Sequence, residues 1–204
     1  PCDGPDADSC NEGVQVCSPT GGEIVCLRDG PTGLWRFDEG SGTIAGDSAS
    51  SSPTNDLTIS NVFFATGKFG KALEFTGAGG SAKATLGISG TRTLMMWLKI
   101  GADGIVYGES ESASQIHFTG RWAAGAFIHQ QIDGTTTRTV SSAIAANEWH
   151  HVAVVMEPGK SNGLRLYVDC VEVGSTALNN NVSVGEFNLG RAKGLTGLYT
   201  GFAD

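Results

Sequence analysis

Between Glu148 and Ser175 the chain alternates along its length with a period of two, placing Trp149, His151, Ala153 and Val155 on one side and His150, Val152, Val154 and Met156 on the other. Both sides are largely apolar. That pattern predicts an inner strand of a packed two-sheet structure rather than a strand with one wet face. Pro158, Gly159, Asn162 and Gly163 then break the run with residues suited to a turn. In the return segment Leu164, Leu166 and Val168 alternate with Arg165, Tyr167 and Asp169, so this strand is expected to show one face to a core and one to water.

The same period recurs at short intervals from Gly33 onward. Strands are predicted at Leu34 to Phe37, Leu57 to Ile59, Val62 to Phe64, Ala72 to Phe75 and Ala82 to Leu86, with a central strand in the near-continuous apolar run Thr93 to Ile100. Further strands are expected at Ile105 to Tyr107, Gln115 to Phe118, Ala126 to Ile132 and Thr136 to Val140, while the Ser- and Gly-rich stretch 40–55 reads as loop. No segment carries helical period for more than a turn or two. Many strands separated by turn signals describe an all-β sandwich or barrel.

Composition agrees with that reading, since 30 glycines in 204 residues imply many turns and leave little room for amphipathic helices. No stretch approaches the roughly 20 apolar residues of a membrane span. The net charge of −8 is concentrated in residues 1–30, which hold Asp3, Asp6, Asp8, Glu12, Glu23 and Asp29 against Arg28 alone. Nucleic acid is therefore excluded as a partner, because no basic stripe exists to displace counterions. The same segment carries Cys2, Cys10, Cys17 and Cys26 in a length too short for its own core. Two disulfides in an oxidising compartment are expected, with three connectivities left open. Zinc is the weaker alternative, for lack of C-x-x-C spacing or a histidine in the segment. Asp3, Asp6 and Asp8 around Gly4 are candidate calcium ligands. The chain thus divides into a cysteine-rich acidic leader, 1–30, and a β domain, 31–204.

Seven stretches, in order, carry a family resemblance: GLWRFDEGSGTIAGDS (33–48), FGKALEFTG (69–77), TLMMWLKI (93–100), EWHHVAVV (148–155), LRLYVDCVEVG (164–174), FNLGR (187–191) and LYTGFAD (198–204). The chain resembles the laminin G-like domains of the concanavalin A-like class. The resemblance implies a two-sheet antiparallel jelly-roll sandwich, here preceded by a small disulfide-stapled segment. It also implies a structural calcium at the rim, with Asp38, Asp47 and Asp204 at the matching positions. Two departures stand out. Cys170 occupies the position of the turn glycine in the family's hairpin, where positive φ is needed. The family also adds one strand after the Gly-x-x-Asp of residues 201–204, so an open sheet edge is expected here.

Catalytic chemistry is not visible as a set of nucleophile, base and orienting group. His150 and His151 resemble a structural pair, and His117 and His129 stand isolated in the sequence. Glu109 and Glu111 lack the flanking aromatics and the third acid of jelly-roll glycosidases. For a glycan, Trp122 beside Arg121, together with Tyr107, is the candidate platform, because Trp35, Trp97 and Trp149 sit in strand patterns where burial is the default. The expected function is a secreted or cell-surface, non-catalytic module for adhesion or recognition of glycan or protein. The alternative is a subunit of an extracellular assembly, joined through the open edge or through Cys170.

Overall fold

The computed structural model describes residues 15–17, 24–26, 31–49, 55–112, 115–122, 126–133, 136–178, 184–192 and 199–204. These form seventeen strands and no helix among the described residues. The leader contributes β1 (Gln15–Cys17) and β2 (Ile24–Cys26), which pair with each other as a separate two-stranded sheet.

The eight-stranded sheet is built from β3 (Ile44–Ala45), β4 (Leu57–Ser60), β7 (Ser81–Ile88), β9 (Gly104–Ser112), β10 (Gln115–Trp122), β11 (Ala126–Asp133), β12 (Thr136–Ala143) and β16 (Val184–Leu189). Its order is β12-β11-β10-β9-β16-β7-β4-β3. The seven-stranded sheet takes β5 (Phe63–Thr66), β6 (Lys71–Thr76), β8 (Arg92–Ala102), β13 (Trp149–Met156), β14 (Lys160–Val168), β15 (Val171–Leu178) and β17 (Thr200–Ala203) in the order β15-β14-β13-β8-β17-β6-β5. Every pairing is antiparallel, and the sheet edges β12 and β15 meet along one side of the sandwich. The architecture is the expected two-sheet jelly roll.

Alternation places the core. Leu73, Phe75, Leu98, Ile100, Val152, Val154, Met156 and Ala203 point inward from the seven-stranded sheet and meet Tyr107, Phe127, Phe187 and Leu189 from the other. One expectation changes at this level. Leu34 to Phe37 is not a strand but a single bridge, Trp35 to Asp47, from which the Trp35 ring reaches in to stack on Phe187 at 5.4 Å. The last strand, β17, lies inside its sheet between β6 and β8 and pairs with both, and β5 and β15 form the edges of that sheet.

The core also holds polar groups that the sequence leaves scattered. Arg92 on β8 reaches across the sandwich, and its Nε and Nη2 both donate to Glu109 Oε2 on β9 at 3.0 Å. Beside this ion pair His117 Nδ1 lies 3.4 Å from His129 Nε2, and His129 Nδ1 lies 2.7 Å from Thr119 Oγ1 and 3.2 Å from the Tyr107 hydroxyl. His117 and His129 are thus neither isolated nor at the surface; both are buried. Burial, with the Arg92 charge adding to it, lowers His117 to about 3, and burial followed by the His117 and Arg92 charges moves His129 in the same direction.

This lowering has a definite sign for stability. As pH falls below about 6.5 the unfolded chain takes up a proton on each imidazole, whereas folded His117 does so only near 3. Stability therefore drops with acid over that window, by about 2 kcal/mol from His117 alone between pH 6.5 and 5. Urea midpoints at pH 7.5 and 5.0 measure this, and His117→Gln is expected to flatten the profile. Equal midpoints for the native protein would mean that the imidazoles are protonated in the folded state.

Candidate functional site on the seven-stranded sheet

The face of the seven-stranded sheet opposite the core carries a continuous row. Phe63 on β5 is registered with Glu74 on β6, Glu74 with Phe202 on β17, Phe202 with Lys99 on β8, and Lys99 with Trp149 on β13. Directly opposed residues share a face. Their chain neighbours Leu73, Leu98, Ile100 and Ala203 are buried in the core, so the row points outward. Four inter-strand steps give it a length of about 19 Å.

Its members touch. The Trp149 and Phe202 rings lie 6.1 Å apart, and Lys99 Nζ sits 5.8 Å from the Phe202 centroid. Phe63 is 59% exposed, and the other four are half-buried. One step along the strands, Trp97 is registered with His151, their rings 5.4 Å apart. Phe69, from the turn between β5 and β6, stands edge-on to Trp97 at 5.8 Å, with Lys68 Nζ 4.9 Å above the same indole.

On the side of the row away from Trp97, a pocket of about 300 Å³ opens between β6, β8 and β17. Phe202 walls it, and Glu74, Thr76, Lys99, Asn147 and Thr200 supply polar atoms around it. Gly101 contributes to the space, since a β-carbon there would stand 3.3 Å from the Thr200 carbonyl oxygen. A stacked apolar surface with convergent donors and acceptors suits a ring that is apolar on its faces and polar on its edge.

The sequence-derived candidates fall elsewhere. Tyr107 is 1% exposed and faces the core against His129, so its ring is closed to a ligand in solution. Burial, reinforced by the Glu109 charge, raises its hydroxyl pKa well above the usual value. Arg121 Nη1 donates to Asp103 at 2.6 Å. Trp122 is registered with Ala126 on β11, and its side chain lies outside the described residues. Conversely Trp97 and Trp149, expected to be buried, form the outward surface. Strand β13 is inner in the sheet order, yet its Trp149 and His151 face is not covered by a second sheet. Glu109 lies in the core at 2% exposure, bound by Arg92 rather than lining a cleft; burial raises its pKa, with Arg92 opposing. The Glu111 side chain is outside the described residues.

The aspartates act on the backbone. Asp47 Oδ1 accepts from the amides of Leu34 and Ala49, and Oδ2 from Asn55, at 2.8 to 3.0 Å. The Ala49 bond closes an Asx turn. Asp204 Oδ2 accepts from the Phe69 amide at 2.7 Å and Asp38 Oδ1 from Lys71 at 3.1 Å, so these two clamp the turn after β5 while Asp47 stands apart. Burial raises the Asp204 pKa, backbone amides of Phe69 and Lys68 lower it, and the Asp38 charge raises it. No three His, Cys, Asp or Glu side chains gather for a metal among the described residues. A calcium ion on Asp38, Asp47 and Asp204 together does not fit, because these three carboxylates do not gather around one point. Asp3, Asp6 and Asp8 lie outside the described residues. Any rise in melting temperature on adding calcium is accordingly expected to be the same in the native protein and in Asp47→Asn; a rise lost in the variant would contradict this.

At the far end of the Trp97 row, Asp169 and Cys170 form the two-residue loop between β14 and β15, with φ of 51° and 66°. Both lie in the left-handed region, as a tight hairpin demands. Asp169 accepts from His150 Nδ1 at 2.8 Å and from the His151 amide at 2.9 Å, and Cys170 is disulfide-bonded. Burial lowers the His151 pKa against the opposing Asp169 charge. Cys2 and Cys10 are outside the described residues. Cys17 and Cys26 lie in β1 and β2, where the backbone register alone is described.

A family model described as the concanavalin A-like lectin/glucanases superfamily, Laminin_G_3, matches residues 76–204. The chain belongs to this superfamily. No curated protein sequence matches it. Among solved structures, domain 4 of AbnA, a GH43 extracellular arabinanase from Geobacillus stearothermophilus, in complex with arabinotriose, is similar at a TM-score of 0.65. It is 16% identical, over 87% of this chain and 91% of that one. Trypanosoma rangeli sialidase in complex with sialic acid is similar at 0.59 and 14% identity, over 81% of this chain and 28% of that one. Mouse laminin alpha1 domains LG4-5 reach 0.56 and 16%, over 68% and 42%. At such identities the likeness is one of fold, and the concanavalin A-like scaffold serves both catalytic and binding proteins.

Proposed function

We propose that the chain is an extracellular, non-catalytic recognition module that takes a glycan across the outer face of its seven-stranded sheet. The observation that carries this is the row Phe63, Glu74, Phe202, Lys99 and Trp149, which runs over five adjacent strands beside a pocket rimmed with polar side chains. Its length favours several linked sugar units over a single ring. The arabinotriose named with the arabinanase domain supports carbohydrate as the ligand class. Hydrolysis by paired carboxylates has no basis in the row, where Glu74 is the one acid and faces Phe63 and Phe202.

Affinity electrophoresis of the native protein through gels containing soluble polysaccharides tests the reading. Retardation is expected in at least one neutral polysaccharide, strongest with chains long enough to span the row. Unchanged mobility across a broad panel of plant, microbial and animal polysaccharides would remove the proposal.

A further inference from the structure

The pocket beside Phe202 is displaced from the row rather than continuous with it. Among its lining residues, Thr76 lies two positions beyond Glu74 on β6, Thr200 two before Phe202 on β17, and Asn147 two before Trp149. Two residues of extended strand span about 7 Å, so the recess flanks the row on one side. Thr76 and Thr200 are registered with each other as Glu74 and Phe202 are, which makes the pocket a shorter line parallel to the row. Asn147, whose amide donates to the Ile100 carbonyl, stands at its β13 side.

The depth of the pocket comes from β8. Its register against β17 slips here, Gly201 facing Ile100 and Thr200 facing Ala102, which leaves Gly101 as the extra residue of a bulge. The φ of Gly101 lies outside the left-handed region, so the backbone does not demand glycine. A β-carbon would meet the Thr200 carbonyl oxygen at 3.3 Å, a contact that a small shift relieves, and would take its volume from the pocket floor. Glycine inside a strand commonly marks a bulge or the close approach of a ligand, and this one sits at both a bulge and a pocket floor.

The lining is polar and carries no net charge. Glu74 and Lys99 contribute one negative and one positive group, Thr76, Thr200 and Asn147 add neutral hydroxyls and an amide, and the Phe202 ring forms one wall. A hydroxyl both donates and accepts, so a neutral polyol serves the acceptor-only Glu74 and the donor-only Lys99 together, whereas an anion meets repulsion from Glu74. At about 300 Å³ the pocket stands at the small end of ligand sites, with room for one ring and not for a chain.

On the glycan reading of the outer face, on which this inference rests, we propose that the pocket receives a single neutral sugar unit branching from a main chain that lies along the row. A main-chain unit stacked on Phe202 has the pocket mouth at its side, because Phe202, Glu74 and Lys99 belong to both row and pocket. The ligand class narrows from glycan to a branched neutral polysaccharide, and Gly101 sets the size of the branch.

Affinity electrophoresis in matched gels tests the branch apart from the row. Galactomannan, arabinoxylan and branched arabinan are each compared with an enzymatically debranched preparation of the same backbone. In the pair that retards the native protein most, the branched form is expected to bind more tightly by about fivefold or more. Gly101→Val, which fills the floor, is expected to bring the two forms within about twofold of each other. Asn147→Gly removes the side-chain amide at a φ of 62° that glycine adopts without strain, and is expected to reduce the preference even if the valine variant fails to fold. Equal binding of both forms by the native protein, or a preference unchanged in Asn147→Gly and in folded Gly101→Val, overturns the branch while the row stands. No retardation in any of these gels or across the broader panel removes the glycan reading and the branch together.

Discussion

Trp149→Ala combined with Phe202→Ala is expected to abolish retardation in every polysaccharide gel that retards the native protein. The two rings are the adjacent aromatic anchors of the row, each half-buried, and truncation of such an anchor commonly removes about 2 kcal/mol or more of binding free energy. Together they amount to about 4 kcal/mol, or roughly a thousandfold in affinity. Both side chains point away from the core, so the fold is expected to survive, as circular dichroism will show. Trp122→Ala serves as the opposite control and is expected to bind as the native protein does. Loss of binding in Trp122→Ala alone would move the site to the β10–β11 loop.

Arg92→Ala is expected to be among the most destabilising single changes in the molecule. It strips the partner from Glu109, a carboxylate with 2% of its side chain exposed, and leaves that group buried between two sheets. Removing one member of a buried pair costs about 3–5 kcal/mol, because the remaining charge has no compensation. For a chain of this length that is a fall of about 10 °C in melting temperature. Replacing both partners at once, as Arg92→Met with Glu109→Gln, is expected to recover most of the loss. A fall of under 2 °C in Arg92→Ala would show that water reaches Glu109.

Strand positions were legible because the period of two is a local property. The segments around Trp97 and Trp149 announce themselves as strands, and the turn chemistry around Pro158 and Gly159 marks the break between β13 and β14. The strained turn at Cys170 was likewise readable, since Asp-Gly is the residue pair such a loop favours. The binding face was not legible. A run such as TLMMWLKI is apolar on both sides, and nothing local says which side a second sheet will cover. Trp97, Trp149 and Phe202 become neighbours only through the registers of β8, β13 and β17, three strands far apart in the chain. The buried network failed for the same reason: Arg92 finds Glu109 across the sandwich, and His117 finds His129 across one strand pair.

Hydroxyl-radical footprinting of the native protein, with and without a retarding polysaccharide, tests the central claim most directly. The outward row predicts that ligand slows oxidation of Trp149 and Phe202 severalfold, with no change at Trp122. Protection of Trp122 with Trp149 and Phe202 unaltered would contradict it.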